Sequence, residues 1–117
     1  MNSIIGDKSF AFAVRIVKLY KWICTEKREF VLSKQILRSG TSIGANVSEA
    51  LQGQSKRDFL MKMNIALKET AETKYWLRLL KETEYLTEKQ QHSIYKDCIE
   101  LEKLLTSIVK TTSEGFK

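Results

Sequence analysis

Few residues in this chain could do covalent chemistry. His92 is the one histidine, and Cys24 and Cys98 are the two thiols. A histidine can act as a base or metal ligand, and a thiolate as a nucleophile or soft ligand. Spacing argues against each role. No histidine or cysteine stands three or four residues from His92, so a zinc site is not expected. One histidine cannot supply the paired Glu-x-x-His motif of a di-iron bundle. Cys24 and Cys98 have no CxxC or Cys/His company and are expected to be buried free thiols. Glu49 has no second acid or base at an obvious position. The expectation is no catalytic residue, no metal and no cofactor.

The cations are more informative. The chain of 117 residues carries a formal charge of +6, which suits anionic partners. Eleven Lys/Arg face five Asp/Glu up to residue 65, and nine face nine beyond it. The whole surplus therefore lies in the first half. Between Lys8 and Thr25 there is no acidic residue. Arg15, Lys18, Lys21 and Trp22 read either as a solvated face or as a phosphate-binding face with one stacking aromatic. Lys27, Arg28, Lys34, Arg38, Lys56 and Arg57 extend the second reading.

These residues must be placed by helices. The chain has no proline and few glycines, and its apolar residues recur at helical spacing. Helices are predicted over 8–25, 30–51, 56–82 and 88–111, with tails at 1–6 and 112–117. Asp7, Ser55 and Thr87 are the expected N-caps, the last two opening capping boxes completed by Asp58 and Gln90. The core rows are Phe12, Ile16, Leu19 and Ile23; Leu32, Ile36, Ser39, Ile43, Asn46 and Ala50; Phe59, Met63, Ala66, Thr70, Thr73, Leu77 and Leu80; and Ile94, Cys98, Leu101, Leu105 and Ile108. Short connections make this one all-α domain, an antiparallel up-down-up-down four-helix bundle.

Two features exceed what a lone bundle needs. Phe10, Val14, Val17 and Cys24 form a second apolar row on helix 1, and Met61 and Tyr75 stand opposite the core row of helix 3. Both point to burial in an oligomer, or to an unusually enclosed helix. In the second helix, the small residues from Ser39 to Ala50 should allow close helix contact, expected against Ala66–Thr73. Asn46, on the inward row, should fix register, with Ser42 and Glu49 beside it. Lys89, Lys96, Lys103 and Lys110 alternate with acidic residues and read as a solvated face. The first residues lack the pattern of a secretory signal, and no apolar run approaches the ~20 residues that span a bilayer. A cytoplasmic protein without a membrane partner is expected.

The segment 42–80 resembles the four-helix-bundle proteins encoded in intervening sequences of bacterial 23S ribosomal RNA genes. The pattern of that family falls on Ser42-Ile43, Asn46 and Glu49, on Ser55, Asp58 and Phe59, and on Ile65-Ala66, Glu72 and Leu77. Ala50 stands where a glycine is common, and Gln54 where many members have arginine. The resemblance implies a four-helix bundle and a homopentameric barrel. It also brings in the accessory proteins of diversity-generating retroelements, which are similar to basic pentamers that bind nucleic acid and a reverse transcriptase. The functional expectation is a non-enzymatic RNA-binding or ribonucleoprotein-associated homopentamer. The alternative is a scaffold that presents a surface to a partner enzyme.

Overall fold

Local capping chemistry sets where the helices begin. The computed structural model describes residues 3–116. Ser3 Oγ accepts from the Gly6 N–H at 3.1 Å and opens α1, Ile4–Trp22. Asp7 is thus inside the first turn and is not the cap. Residues 3–6, expected in a tail, are cap and helix because Ile5 is buried; Met1 and Asn2 lie outside the described residues. After Trp22 the backbone widens into a π-helical turn, Ile23–Lys27, which keeps Ile23 in the core. Arg28 stops it in the left-handed region with φ 54°.

Helix α2, Leu32–Leu51, starts two residues later than its periodicity suggests. The reason is Glu29. Its carboxylate accepts from the N–H groups of Val31, Leu32 and Ser33 at 3.0, 2.9 and 2.8 Å, satisfying the orphan donors of the first turn. Phe30 and Val31 are left outside the helix. Helix α3, Lys56–Glu82, opens on Ser55 as expected, with its Oγ accepting from the Asp58 N–H at 3.0 Å. Among the described residues the return bond of that capping box is absent. The Asp58 carboxylate turns toward Gly53 instead, 2.7 Å from where a β-carbon would stand. The box at Thr87 closes in full and opens α4, Glu88–Glu114, whose last three residues reach into the expected tail; Lys117 lies outside the described residues. Between α3 and α4, Glu84 takes φ 68° and buries Leu86.

Each helix packs on the next in chain order, and α1 returns to meet α4 more sparsely. The result is the antiparallel four-helix bundle, 48 × 23 × 20 Å. The buried row of α3 is as expected from Met63 to Leu80, as is that of α4 through Leu105. Phe12 and Ile16 fill α1's share, and Ile23 continues it in the π-helical turn. Among the described residues no buried side-chain N or O atom lacks a partner, and no helix is long and apolar enough to cross a membrane.

Helix α2 departs from its expected rotation. Val47, not Asn46, is fully buried, which keeps the inward row apolar. Asn46 is half-buried, and its Nδ2 donates to the Ser42 carbonyl of its own helix at 2.8 Å. It therefore does not set inter-helix register. The cross-helix polar contact is instead Ser39 Oγ with Thr73 Oγ1, 2.9 Å apart and buried. The small residues of α2 serve a second neighbour besides the expected one. A β-carbon on Gly40 would lie 2.7 Å from Ile16 Cγ1, and one on Gly44 would lie 3.1 Å from the Ser9 carbonyl oxygen. Both glycines admit α1, while Ser39 faces α3.

Candidate nucleic-acid interface

The ten candidate residues do not share one face. Short antiparallel connections place the α1–α2 connection at one end of the bundle and the α2–α3 connection at the other. The 20 residues of α2 separate them by about 30 Å. Lys18, Lys21, Trp22, Lys27, Arg28 and Lys34 belong to the first end. Lys56 and Arg57 belong to the second, where Lys56 Nζ sits 5.6 Å from the Phe116 ring centroid.

Two of the arginines are neutralised within the chain. Arg15 is ion-paired with Asp97 and donates to the Ser93 hydroxyl at 3.0 Å. It ties α1 to α4. Arg38 is held between Glu69, at 3.2 Å, and Glu72. The Glu72 hydrogen bond, set against some desolvation, pushes the guanidinium pKa further up. Glu72 in turn accepts from the Trp76 indole N–H at 3.0 Å. That bond and the one from Arg38 hold its carboxyl below the usual range. Glu49 is likewise paired, with Lys62 at 3.0 Å, and Ser42 Oγ donates to the Arg38 carbonyl at 2.6 Å. Glu49 and Glu72 thus tie α2 to α3, whereas the Ser42 hydroxyl bonds within its own helix.

Lys56 and Arg57 also make no ion pair among the described residues, but the larger cluster is at the α1–α2 end. Among the described residues, Lys18, Lys21, Lys27, Arg28 and Lys34 make no ion pair. All five side chains, Lys18, Lys21, Lys27, Arg28 and Lys34, are exposed. Two carboxylates, Glu26 and Glu29, share the segment. Glu29 is committed to the start of α2: partial desolvation raises its pKa, but the backbone donors of Leu32, Ser33 and Val31 outweigh this and lower it. The facing α3–α4 connection, from Arg78 to Lys89, carries as many acidic as basic residues. The positive field therefore belongs to the α1–α2 connection.

Trp22 does not offer a free face. It is half-buried against the core, and Lys27 Nζ covers its ring at 5.7 Å. The aromatic that projects here is Phe30, 52% exposed, with Val31 71% exposed beside it. Sequence periodicity places both inside helix 2 and misses them. The signal was Glu29, an acidic residue three positions ahead of the helix start.

The candidate assembly residues stand on two sides. Phe10 is 71% exposed, and Val14, Met61 and Tyr75 are exposed; Val17 is half-buried. Cys24 is also half-buried rather than buried, 3.7 Å from Ser33 Oγ, whereas Cys98 is buried and donates to the Thr70 carbonyl at 3.5 Å. A polar cleft of about 720 Å³ lies at the α2–α3 connection, lined by Ser48, Glu49, Gln52, Asp58 and Lys62 among others. Its Glu49 is the carboxylate already bound to Lys62. Among the described residues no group of three or more His, Cys, Asp and Glu could hold a metal ion.

No curated protein matches the chain. Among solved structures, a protein of unknown function from the S23 ribosomal protein family of Bacteroides thetaiotaomicron VPI-5482 is 62% identical, with a TM-score of 0.90. The similarity covers 92% of this chain and 99% of that one. The family model for the 23S rRNA-intervening sequence protein matches residues 1–107, and the chain belongs to that family.

Proposed function

We propose that this protein binds RNA without catalysing a reaction, using the α1–α2 end of the bundle. The observation that carries this reading is the contrast within the basic half of the chain. Arg15 and Arg38 are spent on Asp97, Glu69 and Glu72, whereas among the described residues five cations around one connection have no carboxylate partner. Unpaired cations so grouped neutralise backbone phosphates and release counterions. Contacts of this type position a nucleic acid without reading its bases.

The test is a fluorescence-anisotropy titration of a structured RNA at two salt concentrations. If the five cations each meet one phosphate, affinity falls roughly 10²–10³-fold between about 50 and 200 mM salt. Replacing Lys27 and Arg28 by Ala flattens that salt slope by about two contacts. Absence of binding at the lower salt, or binding indifferent to salt, overturns the reading.

The protein is proposed to act as a homopentamer, following the family resemblance. Support comes from Phe10 and Val14 on α1 and Met61 and Tyr75 on α3, two exposed apolar faces on helices that each pack between α2 and α4. A ring uses two different surfaces of each copy, whereas a two-fold dimer uses one. Val14→Glu places an unpaired charge in such an interface and is expected to yield monomers in light scattering. A wild-type-sized particle from that variant refutes the assignment of this row.

A further inference from the structure

We propose that the α1–α2 end takes unpaired RNA in preference to duplex, with Phe30 stacking on a base; this rests on the RNA-binding reading above. Three observations carry it. First, Phe30 is a projecting aromatic flanked by cations on both sides, Lys27 and Arg28 before it and Lys34 after it. Alternation of cations with an exposed ring is how single strands are held, because every base has a π-face and every linkage a phosphate.

Second, the ring is held out by a rigid frame. The Glu29 carboxylate fixes the N–H groups of Val31, Leu32 and Ser33. The Ser33 hydroxyl returns a bond to the Glu29 carbonyl at 2.8 Å, and Arg28 turns the chain in the left-handed region. A backbone already fixed around the ring needs no further ordering on stacking. Third, the other aromatic of this connection is engaged, since Trp22 packs on the core under Lys27. A duplex keeps its bases stacked inside and presents only phosphates and a shallow groove, so Phe30 gains nothing from it.

The experiment compares a fluorescein-labelled single-stranded oligoribonucleotide with a blunt duplex of equal length at low salt. The wild type is expected to favour the single strand. Phe30→Ala should weaken single-strand binding about tenfold or more and leave duplex binding unchanged, while Phe30→Trp retains it. Circular dichroism of each variant confirms that the bundle is intact. Equal binding of strand and duplex, with Phe30→Ala moving neither, overturns the stacking inference and leaves the phosphate-binding reading standing. Binding of neither RNA overturns both. Vesicles of 3:1 phosphatidylcholine and phosphatidylserine serve as the rival ligand. Capture by them that depends on Phe30, without RNA binding, also overturns the proposal.

Discussion

Gly40 allows a sharp test of how α1 and α2 meet. Gly40→Ala would ordinarily stabilise a helix interior by about 0.8–1 kcal/mol. Here the added methyl would stand 2.7 Å from Ile16 Cγ1 and 2.9 Å from its Cδ1 and Cγ2. Ile16 is fully buried, and its β-branched side chain has few alternative rotamers in a helix. Overpacking of this kind costs about 1–3 kcal/mol. The difference leaves Gly40→Ala destabilised by roughly 1 kcal/mol. With a urea slope of about 1.5 kcal/mol/M, the midpoint drops by about 0.7 M.

The magnitude alone would not identify the cause, so the partner must be varied too. Ile16→Ala removes all three crowded atoms and costs about 2–5 kcal/mol by itself. In the Gly40→Ala background the new methyl fills part of that hole and meets no clash. The two substitutions should therefore couple favourably by about 1–3 kcal/mol in a double-mutant cycle. Urea titrations of the four proteins at one protein concentration measure it. Additivity within about 0.5 kcal/mol would show that α1 does not cross α2 at Gly40.

Two further outcomes follow from titratable groups. Glu72, held low by Trp76 and Arg38, stabilises the folded state fully above the unfolded carboxylate value of about 4.3. That contribution is lost as pH falls through its lower folded value. Wild-type urea midpoints should thus fall more steeply below about pH 4.5 than those of Glu72→Gln, with Glu29 acting alike in both; parallel curves refute the assignment. Burial, reinforced by Glu102, pushes the Cys98 thiol up to about 12. A thiol-reactive dye at pH 8 should label half-buried Cys24 readily and Cys98 only after urea is added; equal labelling rates in the native protein count against it.

Local chemistry was the most legible part of the sequence. The limits of α3 and the cap of α4 follow from Ser55 and Thr87, whose hydroxyls act within three residues. The apolar rows of α3 and α4 follow from period alone. Ser3 was obscured because a cap so near the chain's start resembles a tail. The start of α2 was misplaced because Glu29 reaches forward to three N–H groups from outside the helix. Choosing between Asn46 and Val47 requires the rotation of α2, and a one-residue difference changes which is inward. The charge asymmetry of the two halves was plain from composition. Which cations stay free was not. Asp97 is 82 residues from Arg15, and Glu72 is 34 from Arg38, so their pairing exists only once the helices are docked.

The sparse contact between α1 and α4 bears on the order in which the bundle forms. Three of its four helix pairings join neighbours across short turns, and such local pairings close at low entropic cost. The fourth joins groups as distant as Lys8 and Glu100, 92 residues apart. Its two ion pairs are exposed, and each contributes under about 1 kcal/mol. A groove lined by Lys8, Phe12, Arg15, Asp97 and Leu101 runs along it. This pairing is therefore expected to close last in folding and to open first in the native state. Amide hydrogens that exchange before global unfolding will therefore lie along that line, while those of α2 and α3, joined by Ser39 and Thr73, exchange only with the whole molecule.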